Sequence, residues 1–293
     1  MGNKEEMARR ATRDLMGRSD KSNRYLQEFL VPLYLPNERD KLQLLGSGIL
    51  LRIAGRQFLI TAAHVLDDAS PERPIYIPNE ERGDSPLQGI PCVTAIPEGG
   101  ERRHDRLDIG VVEMHNATIG NLPGYEFLTV ADIGMSERPV EGCTYSLMGF
   151  PYTKNKPPYC TNHVRPTLVT YTTTSADESL YQSMGSATDT SLLLHLKRED
   201  TMLAYGNRGK APATAPHPKG MSGGAVWRLE GVARQAGCNS VNKLVGVFIE
   251  YHKDHHVVVA TKVDVVVDLI RHCWPELSDS LPSPKCSGPP PTS

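Results

Sequence analysis

Short apolar runs separated by turn residues extend from about residue 42 to residue 263. In the first half they are LQLLGSGILLRI at 42–53, QFLITAAHVL at 57–66, LDIGVVEM at 107–114 and YSLMGFP at 145–151. In the second half they are TLVTYTTT at 167–174, SLLLHLK at 191–197, GGAVWRL at 223–229, KLVGVFIEY at 243–251 and HVVVATKV at 256–263. Turn-like Ala54-Gly55 separates the first two runs. Many short strands with turn signals between them predict an all-β sandwich or a pair of barrels.

The two ends of the chain have a different texture. Residues 4–17 (KEEMARRATRDLMG) predict a charged helix with little apolar surface, which is typical of a peripheral appendage or docking segment. VDVVVDLIRHCW at 263–274 has helical spacing and stops before Pro275. The Pro/Ser-rich stretch 278–293 predicts a disordered tail.

Composition narrows the class of protein. The 293 residues are 39% hydrophobic and 23% charged, and the formal net charge of −2 gives no basic bias toward nucleic acid. No apolar run approaches the roughly 18 residues that a membrane span needs, and the N-terminus lacks the apolar stretch of a secretory signal. We therefore expect a cytoplasmic protein without a membrane span. The six cysteines show no CxxC or zinc-ligand spacing, so we expect mostly buried free thiols, no metal and no cofactor.

Three segments carry candidate chemistry, and together they suggest nucleophilic catalysis by a serine. His64 follows an apolar run and two alanines, Asp108 is a lone acid at the start of an apolar run, and Ser222 is flanked by glycines. Such catalysis needs a hydroxyl, an imidazole to take its proton, a carboxylate to orient the imidazole, and backbone N–H groups for the oxyanion. The N–H groups of Gly220 and Ser222 could converge on one point.

Other interpretations of these residues remain open. Asp105, in the charged run ERRHDR, is the rival to Asp108. Residues 220–224 also fit the GxSxG elbow of α/β-hydrolases, although a strand-like AVWRL follows where that fold has a helix. The cluster at 252–256 could bind a metal, but its place between two strands favours a polar hairpin tip. A protease-like domain that binds a peptide or partner without catalysis is the alternative from a different functional class.

TAAHV, LDIGVVE and GMSGGAVW resemble the three signature blocks of the chymotrypsin/trypsin-like serine peptidases, and the similarity covers roughly residues 40–277. The resemblance implies an all-β fold of two antiparallel β-barrels with a C-terminal helix, here with a helical N-terminal extension. It implies a serine endopeptidase acting on protein or peptide substrates, with Ser222 as nucleophile, His64 as general base and acid, and Asp108 as the orienting carboxylate. Gly220 and Ser222 would form the oxyanion hole.

The predicted units are a helical extension at 1–25, a first barrel at 26–152, a second barrel with the terminal helix at 153–277, and the tail at 278–293. Met221 replaces the acid that usually precedes the serine and pairs with a freed N-terminus in secreted members. The cysteine pair around the histidine is also missing. Both departures resemble bacterial-type intracellular peptidases, some of which a regulatory partner protein gates.

The resemblance also places the primary specificity pocket. Its walls would be formed by Pro216, His217, Lys219, Ile249, Tyr251 and Val258. Pro216 lies six residues before the serine, where trypsin-type enzymes have an Asp, so a preference for Arg or Lys is not supported. Val258 replaces a usual glycine, which predicts a small or medium uncharged residue before the scissile bond. His217 suggests a preference for Glu as the competing idea.

Overall fold

The computed structural model describes residues 25–78, 84–122, 124–135, 143–155, 166–198, 215–229 and 242–283. Its strands are β1 (Leu30–Pro36), β2 (Leu42–Ile53), β3 (Arg56–Ala62), β4 (Tyr76–Ile77), β5 (Ser85–Pro86), β6 (Gly89–Val93), β7 (Ile109–Met114), β8 (Thr144–Gly149), β9 (Val169–Thr174), β10 (Ser191–His195), β11 (Ala225–Leu229), β12 (Lys243–His252) and β13 (Val257–Lys262). Its α-helices are α1 (Ala63–Asp67), α2 (Asn116–Ile119), α3 (Glu178–Met184) and α4 (Val263–Cys273). Short 3₁₀ helices cover Gln27–Phe29, Arg102–His104, Val130–Asp132, Tyr152–Lys154, Lys253–His255 and Pro275–Ser280.

The first sheet is antiparallel, with the strand order β5-β4-β1-β2-β3-β7-β6. The edge strands β5 and β6 are separated in the chain by only two residues, so the sheet curls until its edges approach each other. Ala54 and Gly55 join β2 to β3, and both have positive φ angles (48° and 84°), as a type I′ hairpin turn requires. The prediction of a tight turn at this point is confirmed.

The second sheet has the order β10-β13-β12-β11-β8-β9 and is also antiparallel. An antiparallel bridge between Ser175 and Leu194 connects its two edges. In β13, Val258 and Ala260 face the barrel core, while Val257 and Val259 pack with Tyr181 of α3. Because both faces are covered, this strand appears in the sequence as a continuous apolar run.

The border between the two sheets differs from the predicted border at residue 152. β8 hydrogen-bonds to β9 and β11, so it belongs to the second sheet although it lies before residue 152. Residues 143–149 are as apolar as the strands of either barrel, and only their pairing partners assign them. The 3₁₀ helix that ends at Ser280 and the buried Leu281 also carry folded structure past the predicted start of the tail at 278.

The C-terminal helix α4 packs against the first sheet and ends in a disulfide. Its buried face (Val263, Val266, Val267, Ile270) joins the core of the first barrel. Cys273 at its last turn is bonded to Cys92 on β6, with Cα atoms 6.6 Å apart. The expectation of free thiols is therefore wrong for these two residues. Sequence patterns could not indicate the bond, because the two cysteines are 181 positions apart in the chain. With this bond present, the cysteines no longer support the expectation of a reducing compartment.

The predicted fold of two antiparallel barrels of the chymotrypsin type followed by a helix is confirmed. The parallel βαβ alternation of an α/β-hydrolase is absent from the described residues, where Ser222 is followed by strand β11. Residues 252–256 form the predicted polar turn, between β12 and β13. The helix expected at 4–17 lies outside the described residues. No helix of the described part combines the length and apolar character that a membrane crossing requires.

Candidate active site

His64 lies where β3 ends and α1 begins. The strand ends at the buried Ala62, and the helix starts at the equally buried Ala63, so the imidazole projects from the first helical turn. The backbone N–H of Ala63 donates to the carbonyl oxygen of Asp108 at 2.8 Å. Small side chains at 62 and 63 thus allow the loop before β7 to approach the base of the imidazole.

Asp108 holds His64 by two hydrogen bonds. One carboxylate oxygen accepts the backbone N–H of His64 at 2.9 Å, and the other lies 2.5 Å from ring Nδ1. The Asp108 side chain is 8% exposed, and its backbone adopts a positive φ of 46°. Such a conformation costs on the order of 1 kcal/mol for a residue other than glycine, and short polar residues tolerate it best. This backbone conformation places the buried carboxylate of Asp108 against the imidazole of His64.

Charge around His64 keeps its ring basic. Burial lowers the pKa of His64, but the hydrogen bond and negative charge of Asp108, together with the charges of Asp68 and Asp67, raise it above the ordinary 6.5. Since Nδ1 faces the carboxylate, its proton is held there, and Nε2 is the nitrogen able to accept another proton. The arrangement suits a general base.

Asp105, the rival acid, has different partners. Its carboxylate accepts the Thr94 hydroxyl, a guanidinium N–H of Arg102 at 2.8 Å and the backbone N–H of Leu107 at 3.0 Å. The side chain is 3% exposed. Asp105 therefore fastens the loop before β7, and Asp108 is the acid in contact with His64.

The turn that carries Ser222 docks on the first barrel beside His64. The Ser222 carbonyl oxygen accepts the backbone N–H of Ser47, on β2, at 2.8 Å. A methyl group built on neighbouring Gly46 would lie 2.9 Å from that carbonyl oxygen and 2.8 Å from Cγ2 of Val65. Ser222 and the residue after His64 therefore approach the same point on β2, although 157 positions separate Val65 and Ser222 along the chain.

The Ser222 hydroxyl donates to the carbonyl oxygen of Ile249 at 2.9 Å. Among the described residues, the hydrogen-bond partner of the His64 ring is Asp108, and no bond joins Ser222 to His64. The structure thus brings His64 and Asp108 into contact and places Ser222 on the adjoining surface with its hydroxyl turned toward β12. Rotation about the Cα–Cβ bond of Ser222 redirects the hydroxyl without moving the backbone.

The two N–H groups predicted for an oxyanion hole have no acceptor among the described residues. The Lys219 carbonyl accepts the Tyr152 N–H at 2.7 Å, so the N–H of Gly220, on the other side of the same trans peptide, points away from Tyr152. The Met221 carbonyl accepts the N–H of Gly224 at 2.8 Å, so the Ser222 N–H, on the other side of that trans peptide, points away from Gly224. The orientation of both peptide groups is therefore fixed by the hydrogen bonds that the Lys219 and Met221 carbonyl oxygens accept.

Gly223 makes the docking of this turn possible. Its φ is 83°, and an added Cβ would lie 2.1 Å from the Ser47 carbonyl oxygen and 2.2 Å from the Thr61 hydroxyl. The Thr61 hydroxyl itself donates to the Ser47 carbonyl oxygen at 2.7 Å inside the barrel. Only a residue without a side chain fits between the turn and these buried polar atoms.

The residues predicted to form a pocket lie at two depths. Val258 is fully buried in the core of the second barrel, with Tyr171 and Met221, and Ile249 contributes the carbonyl that accepts the Ser222 hydroxyl. The Pro216 carbonyl accepts the Tyr171 hydroxyl at 2.8 Å. Val258 and Ile249 are therefore the buried members of the set, while Pro216 is half-buried and is tied to the core through Tyr171.

The polar members of the set lie nearer the surface. The rings of His217 and Tyr251 meet edge to face, with their centroids 5.5 Å apart. The Lys219 backbone N–H donates to His217 Nδ1 at 3.1 Å, and the Lys219 ammonium lies 5.9 Å from the centre of the Tyr152 ring. The structure thus joins His217, Lys219 and Tyr251 in one group beside Ser222.

Sequence reasoning missed three residues that shape this region. Ser47 receives the Ser222 turn, Tyr152 fixes the Lys219 carbonyl, and Arg198 donates from Nε to the carbonyl of Ala215 at 2.8 Å. Ser47 lies in a GSG triplet and Tyr152 follows a Pro, but neither local pattern reveals a contact with a segment so distant in the chain. Arg198 directly follows the strand-like run 191–197, and no local sequence pattern there indicates a role at the site.

No protein-family model matches the chain, and no curated protein matches it. Among solved structures, the chain is similar to neuropsin, a serine protease expressed in the limbic system of mouse brain. The two align with a TM-score of 0.50 and 15% sequence identity, over 84% of this chain and 94% of that chain. Kallikrein-related peptidase 10 aligns with a TM-score of 0.48 and 16% identity over 85% of this chain and 97% of that chain. At these identities the likeness shows the fold alone, which is that of the chymotrypsin-like serine proteases.

Proposed function

We propose that this protein is a serine endopeptidase in which Ser222 is the nucleophile, His64 the general base and acid, and Asp108 the orienting carboxylate. The observation that carries the proposal is that the buried Asp108 carboxylate accepts the backbone N–H of His64 and also contacts Nδ1 of its ring. The turn that carries Ser222 docks on the first barrel next to this pair. The serine protease fold supports the same assignment.

The proposed reaction begins when the Ser222 hydroxyl leaves the Ile249 carbonyl and turns toward His64. Its oxygen attacks the substrate carbonyl carbon while its proton passes to Nε2 of His64, and Asp108 stabilises the resulting imidazolium. The proton then moves to the leaving amine, the C–N bond breaks and an acyl-enzyme remains on Ser222. Water, deprotonated by the same imidazole, releases the acid product.

Two fixed donors serve the transition state. The N–H groups of Gly220 and Ser222 receive the negative charge that develops on the substrate carbonyl oxygen. Their carbonyl partners already hold both peptides in place, so little reorganisation accompanies the reaction. Removing one such donor typically costs about 10²–10³ in rate.

We infer that the two barrels are the two structural units of the enzyme. The first, which ends before β8, would supply His64 and Asp108, and the second, which begins with β8, would supply Ser222. Met221 is fully buried in the core of the second barrel, and its thioether carries no charge that could pair with an ammonium group. We infer that the enzyme needs no such trigger, and unprocessed chain should already be active.

The direct test is hydrolysis of an unfolded protein substrate by purified wild type and by Ser222→Ala. Wild type should generate new N-termini, and Ser222→Ala should lose about 10⁴–10⁶ in rate. Thr61→Ser is a matched control, since it retains the hydroxyl that bonds Ser47 while altering a neighbouring buried side chain. Equal activity in wild type and Ser222→Ala would reject the mechanism. No activity in either, with folding confirmed by circular dichroism, would favour the protease-like domain that binds without catalysis.

A further inference from the structure

Three cationic side chains act electrostatically on His217, which precedes the Ser222 turn by a few residues, and one of them, Arg198, is bonded through Nε to the nearby Ala215 carbonyl. Burial lowers the pKa of His217, and the positive charges of Arg198, Lys253 and Lys219 lower it further. These residues come from different places in the chain: Arg198 follows β10, Lys253 follows β12, and Lys219 precedes Ser222. No carboxylate of the described residues contributes to this shift in the pKa of His217. Within the described part of the chain, the charges that act on His217 are therefore all positive.

The backbone fixes which nitrogen of His217 carries the proton. The Lys219 N–H donates to Nδ1 at 3.1 Å, so in the neutral ring the proton lies on Nε2. The neighbouring cations favour that neutral form. The edge-to-face contact with Tyr251 at 5.5 Å holds the ring plane. His217 is therefore an oriented N–H donor within a field that attracts an anion.

The position of this group relative to Ser222 connects it to substrate. Tyr251 follows Ile249, which accepts the Ser222 hydroxyl, by two positions on the same strand. His217 precedes Ser222 by five positions, and the intervening turn is fixed by the 3.0 Å bond from the Met221 N–H to the Pro218 carbonyl. The buried Val258 lies beneath in the core of the barrel. A side chain entering beside Ser222 would approach the His217–Tyr251 ring pair, where the charges of Arg198, Lys253 and Lys219 act on His217.

We propose that the endopeptidase, if it acts as inferred above, cleaves after acidic residues, with His217 donating a hydrogen bond to the substrate carboxylate and Arg198 and Lys253 supplying its counter-charge. The proposal deepens the proposed function and rests on it. It favours the competing preference for Glu over the expected preference for a small or medium uncharged residue, and the test below decides between them. Arg198 is the specificity-determining residue that the sequence pattern did not reveal, because its guanidinium is positioned by a bond to Ala215.

The test is a set of peptides that differ only in the residue before the scissile bond: Glu, Asp, Gln, Ala, Leu and Arg. Wild type should show kcat/KM for Glu at least about tenfold above that for Gln, because the two side chains differ in charge and hardly in shape. The Glu preference should weaken as salt is added, since the cations are partly exposed. Arg198→Gln should reduce the Glu/Gln ratio by about tenfold.

A second variant keeps the proposal testable if Arg198→Gln disturbs the fold by removing the bond from Arg198 to the Ala215 carbonyl. Lys253→Gln removes an exposed charge and should lower the Glu/Gln ratio by about two- to threefold. Lys41→Gln, an exposed cation on the first barrel, is the matched control and should leave the ratio unchanged. Unaltered ratios in both Arg198→Gln and Lys253→Gln, or a library profile dominated by Leu or Arg, would overturn the acidic specificity.

Labelling with a fluorophosphonate, whose reaction does not depend on a residue before a scissile bond, separates this proposal from the one on which it rests. A labelled wild-type enzyme that does not favour Glu or Asp refutes the specificity alone. A wild-type enzyme that is neither labelled nor cleaves any peptide refutes the endopeptidase assignment itself.

Discussion

Replacing Asp108 by asparagine removes one negative charge from beneath the His64 ring while hardly changing the size of the side chain. The carboxylate accepts two hydrogen bonds from His64, one from the backbone N–H and one at ring Nδ1. Asparagine has one acceptor oxygen and one NH₂ group, so it can serve only one of these donors. With its oxygen on the backbone N–H, its NH₂ group faces Nδ1. The ring proton then moves to Nε2, where it prevents His64 from accepting the serine proton.

The size of the effect follows from that tautomer. We expect Asp108→Asn to lower kcat by about 10⁴, the loss that the wrong tautomer causes in a triad of this geometry. That factor corresponds to about 5 kcal/mol of transition-state stabilisation. KM should change little, because Asp108 is buried beneath the imidazole and does not contact substrate.

Asp105→Asn is the matched control, since Asp105 is equally buried and lies three positions earlier. Loss of its bonds to Thr94 and Arg102 should destabilise the fold by about 1–3 kcal/mol while kcat stays within about threefold of wild type. Peptide hydrolysis gives kcat and KM, and urea unfolding gives the free energy of unfolding. If Asp105→Asn abolished turnover and Asp108→Asn did not, the assignment of the carboxylate would be refuted.

Three further substitutions test separate parts of the structure. Because the charge of Asp68 helps to raise the pKa of His64, Asp68→Asn should move the acid limb of the kcat/KM–pH profile to lower pH; an unmoved limb would contradict this role. The disulfide between Cys92 and Cys273 closes a loop of 181 positions, so Cys273→Ser should lower the free energy of unfolding, measured without reductant, by up to about 5 kcal/mol, and wild type with reductant should approach the variant. Gly223→Ala should abolish activity or folding, since its Cβ would lie 2.1 Å from a buried carbonyl oxygen on β2; wild-type activity in this variant would show that the turn is not docked as described.

Local patterns were enough to predict many of the strands, and they also suggested the residues of the catalytic proposal. The β2–β3 turn, the strands on either side of it and the C-terminal helix could be predicted because each depends on residues close together in the chain. Asp108 could be preferred to Asp105 because it begins an apolar strand. Among the described residues, Asp108 is the acid hydrogen-bonded to the His64 ring.

Features that depend on distant pairing could not be predicted. The assignment of β8 to the second sheet depends on its pairing with β9 and β11, since its composition fits either barrel. The bond between Cys92 and Cys273 joins an edge strand to the terminal helix, which no spacing rule indicates. Arg198 acts through its charge on a site that only the folded chain brings together.

The most direct measurement is the site and pH dependence of covalent labelling by a fluorophosphonate, followed by mass spectrometry of the labelled peptide. The account predicts one adduct, on Ser222, whose rate of formation falls as the pH drops through the raised pKa of His64. Protonation then removes the base that activates the hydroxyl. An adduct on a different residue, or labelling of Ser222 that proceeds equally well in His64→Ala, would contradict the account.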